Sequence, residues 1–209
     1  INVKSKNQEL VGRLFNAKII ELALANYPGF TASGGSKPGG PILIYWPALI
    51  DSKHIKEKIY FAGKETEVIP TSQLDLDEVY YQKTKVDIPP APGGKTTFKP
   101  LGLVFGARSG DKGGCANLVI WAKTSKAYSF LSEFLTTRKL KELLPDLNEF
   151  EIDRYELPNI LSLNFYIHGI LEDGVSSNSR KDGQAKSLGE YIRAKKVKMP
   201  IEIMEDQVE

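Results

Sequence analysis

Residues Phe105 to Asn117 read Phe-Gly-Ala-Arg-Ser-Gly-Asp-Lys-Gly-Gly-Cys-Ala-Asn. The apolar run Leu101–Phe105 before them predicts a buried strand, and Leu-Val-Ile-Trp-Ala at 118–122 predicts another. Two strands are therefore expected to meet at a loop dense in glycine and charge. Glycine alone reaches positive φ without a Cβ penalty, so Gly110, Gly113 and Gly114 allow close backbone approach. Successive exposed amides, with that of Ser109 among them, can form an anion-binding nest. Arg108 adds a planar fork for a carboxylate or phosphate, and Lys112 a point charge. Asp111 can act as acid or base, orient a neighbouring cation, or ligate a metal. The same string also fits a tight solvated hairpin whose Asp and Lys satisfy backbone groups. It is neither a P-loop nor a dinucleotide fingerprint.

Working outward, a helix is expected over Ser125–Leu144, stopped by Pro145, then strands at Phe150–Leu157 and Leu161–Ile170 around Pro158-Asn159. A second helix is expected over Asp182–Arg193 and a last strand over Val197–Ile203. The order ββαββαβ predicts an α+β fold, a ferredoxin-like open sheet with helices on one face. Before it, Val86–Pro100 holds four prolines and two glycines and predicts a linker. The first 88 residues read as a partial α/β segment. There a helix should follow an Asn16 cap, with Ile19, Ile20, Leu22 and Leu24 on its buried side. A glycine-rich stretch spans 30–41, Ile42–Ile50 should be a strand broken by Pro47, and a hairpin is expected across Ile59–Ile69.

The chain has 209 residues, 41% hydrophobic and 26% charged, with a formal net charge of +2. That balance points away from nucleic acid and membrane as partners, and the basic run Arg193, Lys195, Lys196, Lys198 reads as the solvated face of a strand. No apolar run approaches the length of a membrane-spanning helix. One cysteine, Cys115, rules out an internal disulfide framework and fits a reducing compartment, cytoplasmic or within an organelle. With two histidines, His54 and His168, a His-rich metal site is not expected. The first residue is Ile1, so the chain is expected to be processed, trimmed, or part of something longer.

On the expected strand Leu161–Ile170, alternation puts Asn164, Tyr166 and His168 on one face and Leu163, Phe165 and Ile167 on the other. His168 is then either the acid/base group of a site or a hydrogen-bonded structural histidine. The polar loop Ser176–Arg180 can hold an anion through Arg180 at a helix N-terminus, or simply connect. Cys115 reads as a small buried residue. Asp75, Asp77 and Glu78 lack the turn and spacing of a metal loop.

The blocks Arg108–Asn117, Trp121-Ala122, Arg154-Tyr155-Glu156-Leu157-Pro158-Asn159, Leu163-Asn164-Phe165, His168-Gly169 and Gly189-Glu190-Tyr191 resemble the acyclic terpene utilisation (AtuA-like) family. They are similar, in the same order, to its small C-terminal domain, described as ferredoxin-fold-like. Ala25–Phe30 and Tyr45-Trp46-Pro47-Ala48 resemble the end of its large N-terminal domain. The resemblance implies residues 1–88 from the large domain, a linker at 89–100, the small domain at 101–204 and a tail at 205–209. It also implies the rest of the large domain as a separate or cleaved chain, and a homo-oligomer. Many relatives have Asn where this chain has Cys115, so the thiol is not the shared chemistry. The family is tied to breakdown of branched isoprenoid acids as CoA thioesters, which implies an acyl-CoA substrate, no metal, and a lyase- or hydrolase-type step. Within that frame Asp111 and His168 are the acid/base candidates. Arg108, Ser109, Gly110, Lys112, Gly113, Gly114 and Arg180 are candidates to bind the ligand, and Asn117 and Asn164 to orient it. The rival expectation is a non-catalytic interaction or regulatory domain that packs on the missing large domain or on another copy.

Overall fold

The computed structural model describes residues 3–25, 28–31, 38–68 and 86–205. The carboxylates at 75, 77 and 78, residues 26–27, the middle of the glycine-rich stretch and the end of the expected hairpin at Ile69 lie outside them. The chain divides into two units, residues 46–86, and residues 1–45 together with 87–209.

In the smaller unit, β1 (Lys58–Phe61) and β2 (Lys64–Glu67) form the expected hairpin, with Phe61 opposite Lys64. The turn is Ala62-Gly63, one residue earlier than expected. Both have positive φ, as a two-residue turn matched to strand twist requires.

The larger unit begins with two short helices, α1 (Gln8–Val11) and α2 (Arg13–Ala23). The Asn7 side chain caps α1. Asn16 is no cap, because α2 starts at Arg13 and encloses it. Nor is the apolar side of α2 buried: Leu14, Ile20 and Leu22 are exposed. The expected strand over 42–50 is absent; those residues have no regular structure and are largely exposed. The anticipated α/β segment is thus two helices and, in the other unit, a hairpin, without a core of its own.

The packed part lies beyond residue 87. Four strands, β4 (Gly106–Lys112), β5 (Cys115–Trp121), β6 (Ile152–Leu157) and β7 (Ser162–Ile167), form an antiparallel sheet in the order β4-β5-β7-β6. Between the two hairpins run α3 (Ser125–Phe134) and α4 (Thr137–Leu143), and α5 (Leu188–Ala194) follows β7. All three helices bury against one face, where Leu118, Ile120, Leu163, Phe165 and Ile167 meet Ala127, Tyr128, Leu131, Leu140, Leu188 and Ile192. Among the described residues, no helix contributes a buried side chain to the core from the opposite face of the sheet. This is the α+β, ferredoxin-like open sheet that the order of elements predicted.

Four local differences have physical causes. Leu101–Leu103 is a 3-10 turn, not a strand. Leu101, Val104 and Phe105 are buried while Leu103 is exposed, a spacing of three and four that suits a helical turn. The long expected helix is two, because Thr136 turns its hydroxyl to the N–H of Lys139 and starts α4 afresh. The second helix begins at Leu188, since the Asp182 carboxylate accepts from the N–H groups of Lys186 and Ser187 and holds them in a turn. Finally, the last strand, β8 (Lys196–Pro200), pairs not with the main sheet but with β3 (Thr96–Pro100), inside the stretch expected to be a linker. The proline-rich stretch is itself tied down: Ser129 Oγ donates to the Pro89 carbonyl at 2.5 Å.

Tyr128 is 1% exposed, and its hydroxyl has no partner among the described residues. Burial raises its pKa above the ordinary tyrosine value. An unpartnered buried hydroxyl costs about 1–3 kcal/mol, so Tyr128→Phe is expected to stabilise the protein by about 1 kcal/mol in urea denaturation. A loss of stability would show that the hydroxyl is satisfied.

Candidate functional site

The stretch expected as a glycine loop is strand for most of its length. β4 runs through Lys112, and only Gly113-Gly114 form the turn, the hairpin alternative of the sequence reading. Gly113 has φ +63°, the first position of a type II′ turn. Gly114 is needed for space, because a Cβ there would run into the Glu172 carbonyl oxygen. The turn therefore serves the hairpin and its neighbour.

Alternation along β4 then decides what reaches the open face. Gly106, Arg108, Gly110 and Lys112 face one way; Ala107, Ser109 and Asp111 face the helices. Cross-strand register sets Arg108 beside Val119, Asn164 and Tyr155, and Gly110 beside Asn117, Tyr166 and Asp153. The two glycines flanking Arg108 leave a trough. The Trp121 indole fills the place of a Gly106 side chain, and Lys186 Nζ stands 3.1 Å from where a Gly110 Cβ would be. The result is a cavity of about 330 Å³ walled by Arg108, Lys112, Asn117, Val119, Trp121 and Lys186. Lys112 Nζ donates to the Asp111 carbonyl at 2.9 Å. Three cations thus converge on one wall of an open sheet.

Their placement has two supports. Gly189 of α5 lies against the backbone of Arg108, where a Cβ would be 3.2 Å from its Cα, and its N–H donates to Ser109 Oγ at 3.0 Å. Ser109 therefore holds α5 to β4. The second support is Asp182, which accepts from the N–H of Lys186 at 2.8 Å and from the N–H and hydroxyl of Ser187 at 2.9 and 2.7 Å. Burial acts against its charge, but the Ser187 and Lys186 hydrogen bonds win and lower its pKa below 3.8. A depressed carboxylate stabilises the fold above its unfolded pKa and loses that contribution as pH falls through the folded value. Wild type is expected to lose about 1 kcal/mol more than Asp182→Asn on going from pH 6 to pH 2.5, in paired urea titrations. Equal losses would show that the carboxylate is not the group that titrates.

The structure separates the two acid/base candidates. Asp111 faces the helix side, with Lys186 Nζ 3.8 Å from its Oδ1, whereas His168 lies on the open face beyond the end of β7. Arg180 is elsewhere too: it lines a separate cavity with Asp146, Asp182 and Tyr191. Asn117 is in the cavity wall, and Asn164 is close by in the next strand, its Oδ1 buried without a partner among the described residues.

What His168 does meet was not read from the sequence. Its Nε2 is 2.9 Å from Asp153 Oδ2, and the Tyr155 hydroxyl donates to the same oxygen at 3.4 Å. Tyr166 packs edge-on against the imidazole at 4.9 Å. Cys115 Sγ accepts from the Gly169 N–H at 3.5 Å. A hydrogen bond with Cys115, and then burial, raises the Tyr166 pKa above the ordinary value. Asp153 could have been found by carrying the alternation of β7 across to β6; Lys186, 76 positions from Gly110, left no signal. No group of three or more His, Cys, Asp or Glu among the described residues could hold a metal ion. Nor is any helix among them long and apolar enough to cross a membrane.

An antiparallel sheet with helices on one face and a cationic trough on the other defines an open-faced α+β domain of ferredoxin-like type. Residues 100–198 match the family described as the AtuA ferredoxin-like domain. No curated protein and no solved structure matches the chain.

Proposed function

We propose that the chain serves the breakdown of branched isoprenoid acids by binding an acyl-CoA or related carboxylate in the trough around Arg108. The observation that carries this reading is the convergence of Arg108, Lys112 and Lys186 on a cavity of about 330 Å³ with an amide and an indole in its wall. Cations recognise the carboxylate or phosphate groups of such a ligand, Asn117 offers a donor and an acceptor, and Trp121 an apolar surface. The AtuA ferredoxin-like domain supports the substrate class. Calorimetric titration with isovaleryl-CoA, at two salt concentrations, tests it. Saturable binding that weakens as salt rises is expected, and absence of saturable binding refutes it.

A second reading, docking of a large-domain chain or another copy, is favoured by Tyr155, Leu157 and Ile160, which are 50%, 38% and 64% exposed. A monomer in sedimentation that binds isovaleryl-CoA unaided would remove the need for it.

A further inference from the structure

We propose that Asp153 and His168 are the acid–base pair of the open face: His168 removes a proton from the ligand seated at Arg108, and Asp153 is the residue that positions it. The inference rests on the reading of the trough as the seat of an acyl thioester, and adds what is done to that ligand.

The first support is geometric. An ionised carboxylate only accepts hydrogen bonds, so at 2.9 Å from Asp153 Oδ2 the neutral form of the imidazole is the tautomer with its proton on Nε2. Nδ1 is left with its lone pair, and no described residue hydrogen-bonds to it. A base held in one tautomer by a carboxylate is the arrangement that nucleophile- and proton-transfer sites share.

The second support is that the pair is braced and balanced. Asp153 has no ion-pair partner other than His168 among the described residues, so its charge is directed at the imidazole. Tyr155 from β6 donates to Asp153, Tyr166 from β7 packs on the ring, and Cys115 from β5 hydrogen-bonds in turn to Tyr166. The His168 N–H donates to the Glu151 carbonyl at 3.0 Å, which fixes the backbone on which the ring is mounted.

The third is position. Asn117 in the wall of the trough lies opposite Tyr166, and Tyr166 opposite Asp153, all on the uncovered face. Two strand spacings, about 10 Å, separate Asn117 from Asp153, and four residues of β7, about 13 Å, separate the row of Arg108, at Asn164, from His168. A ligand whose anionic part is held at Arg108 and whose acyl part extends across β5 and β7 brings its carbonyl end to His168.

A thioester carries acidic hydrogens on the carbon next to its carbonyl. In the step, that C–H bond breaks, its electron pair moves into the enolate, and the proton goes to Nδ1. The imidazolium formed lies against Asp153. Reversal in D2O returns a deuteron to the carbon, leaving the ligand otherwise unchanged.

That reversal is the test. The full chain is incubated with isovaleryl-CoA in D2O, and deuterium at the α-carbon is followed by NMR beside a calorimetric binding measurement. Wild type is expected to catalyse exchange, His168→Gln to slow it about 100-fold, and Asp153→Asn to slow it with a substantial part restored in Asp153→Glu. Binding by all three variants should remain within about twofold of wild type, a split that a loss of fold would not produce. Binding without exchange, exchange unaffected by either substitution, or release of free CoA thiol in place of deuteration overturns the proposal while leaving the binding site standing. Failure to bind at all refutes the trough reading, and the proposal with it.

Discussion

Arg108→Ala is expected to weaken binding of isovaleryl-CoA by about 30- to 100-fold while leaving the melting temperature within about 2 °C of wild type. Removing a charged donor from its anionic partner costs about 2–3 kcal/mol, and each 1.4 kcal/mol is tenfold in affinity. The fold should not notice, because Arg108 is exposed and makes no hydrogen bond or ion pair within the described residues. Few arginines in this domain are placed that way. Arg154 and Arg193 are committed to internal partners. Arg108→Lys should recover only part of the affinity, since an ammonium lacks the planar fork. Calorimetry and a thermal melt on each variant decide the matter. Unchanged binding would remove Arg108 from the site, and a collapsed melting temperature would make it structural.

The largest expected loss of stability comes from Arg154→Ala, about 3 kcal/mol in urea denaturation. The guanidinium is 19% exposed and reaches from β6 under the sheet to the end of α3. Its Nε donates to the Leu135 carbonyl at 3.1 Å, one terminal nitrogen to the Ser132 carbonyl at 2.7 Å, and the other to Glu156 at 2.6 Å. Carbonyls in the last turn of a helix have no partner within it, so an arginine that takes two of them acts as a cap. Charged hydrogen bonds contribute about 1.5–3 kcal/mol each but not additively, and Glu156 is exposed enough to return to water. Arg154→Lys should recover little, because one ammonium cannot reach both carbonyls in the same geometry. A loss under about 1 kcal/mol would show that water takes over the cap.

The order of elements after residue 105 was legible in the sequence because β5 holds an apolar run, β7 alternates, and Gly114, Pro145, Pro158 and Gly169 mark boundaries between elements. Leu163, Phe165 and Ile167 did turn to the core, and Asn164 and Tyr166 away from it. The trough itself was misread as a loop. Glycines at 106 and 110 look like turn residues, yet here their missing side chains make room for Trp121 and Lys186, a tertiary fact no local pattern carries. Asp111 was chosen for its neighbours in the string; on a strand, adjacent residues point apart, so it left the site that Arg108 and Lys112 share. The apolar patterns upstream were equally misleading. Ile20 and Leu22 have the spacing of a buried helix face, but the described residues provide nothing to bury it.

The pairing of β3 with β8 bears on how the molecule folds and how it can be cut. The two hairpins of the main sheet close over a few residues, whereas β3 and β8 join positions about a hundred residues apart. Closing a loop that long costs entropy before any contact returns it, so this pair is expected to form late, after the hairpins and α3 have collapsed. It carries Val197 and Met199 into the core, which means that late closure completes the hydrophobic packing. The family match begins at residue 100, after nearly all of β3. A fragment cut to that boundary would leave β8 unpaired and expose a strand edge to other molecules, whereas one starting near Asp87 keeps the clasp.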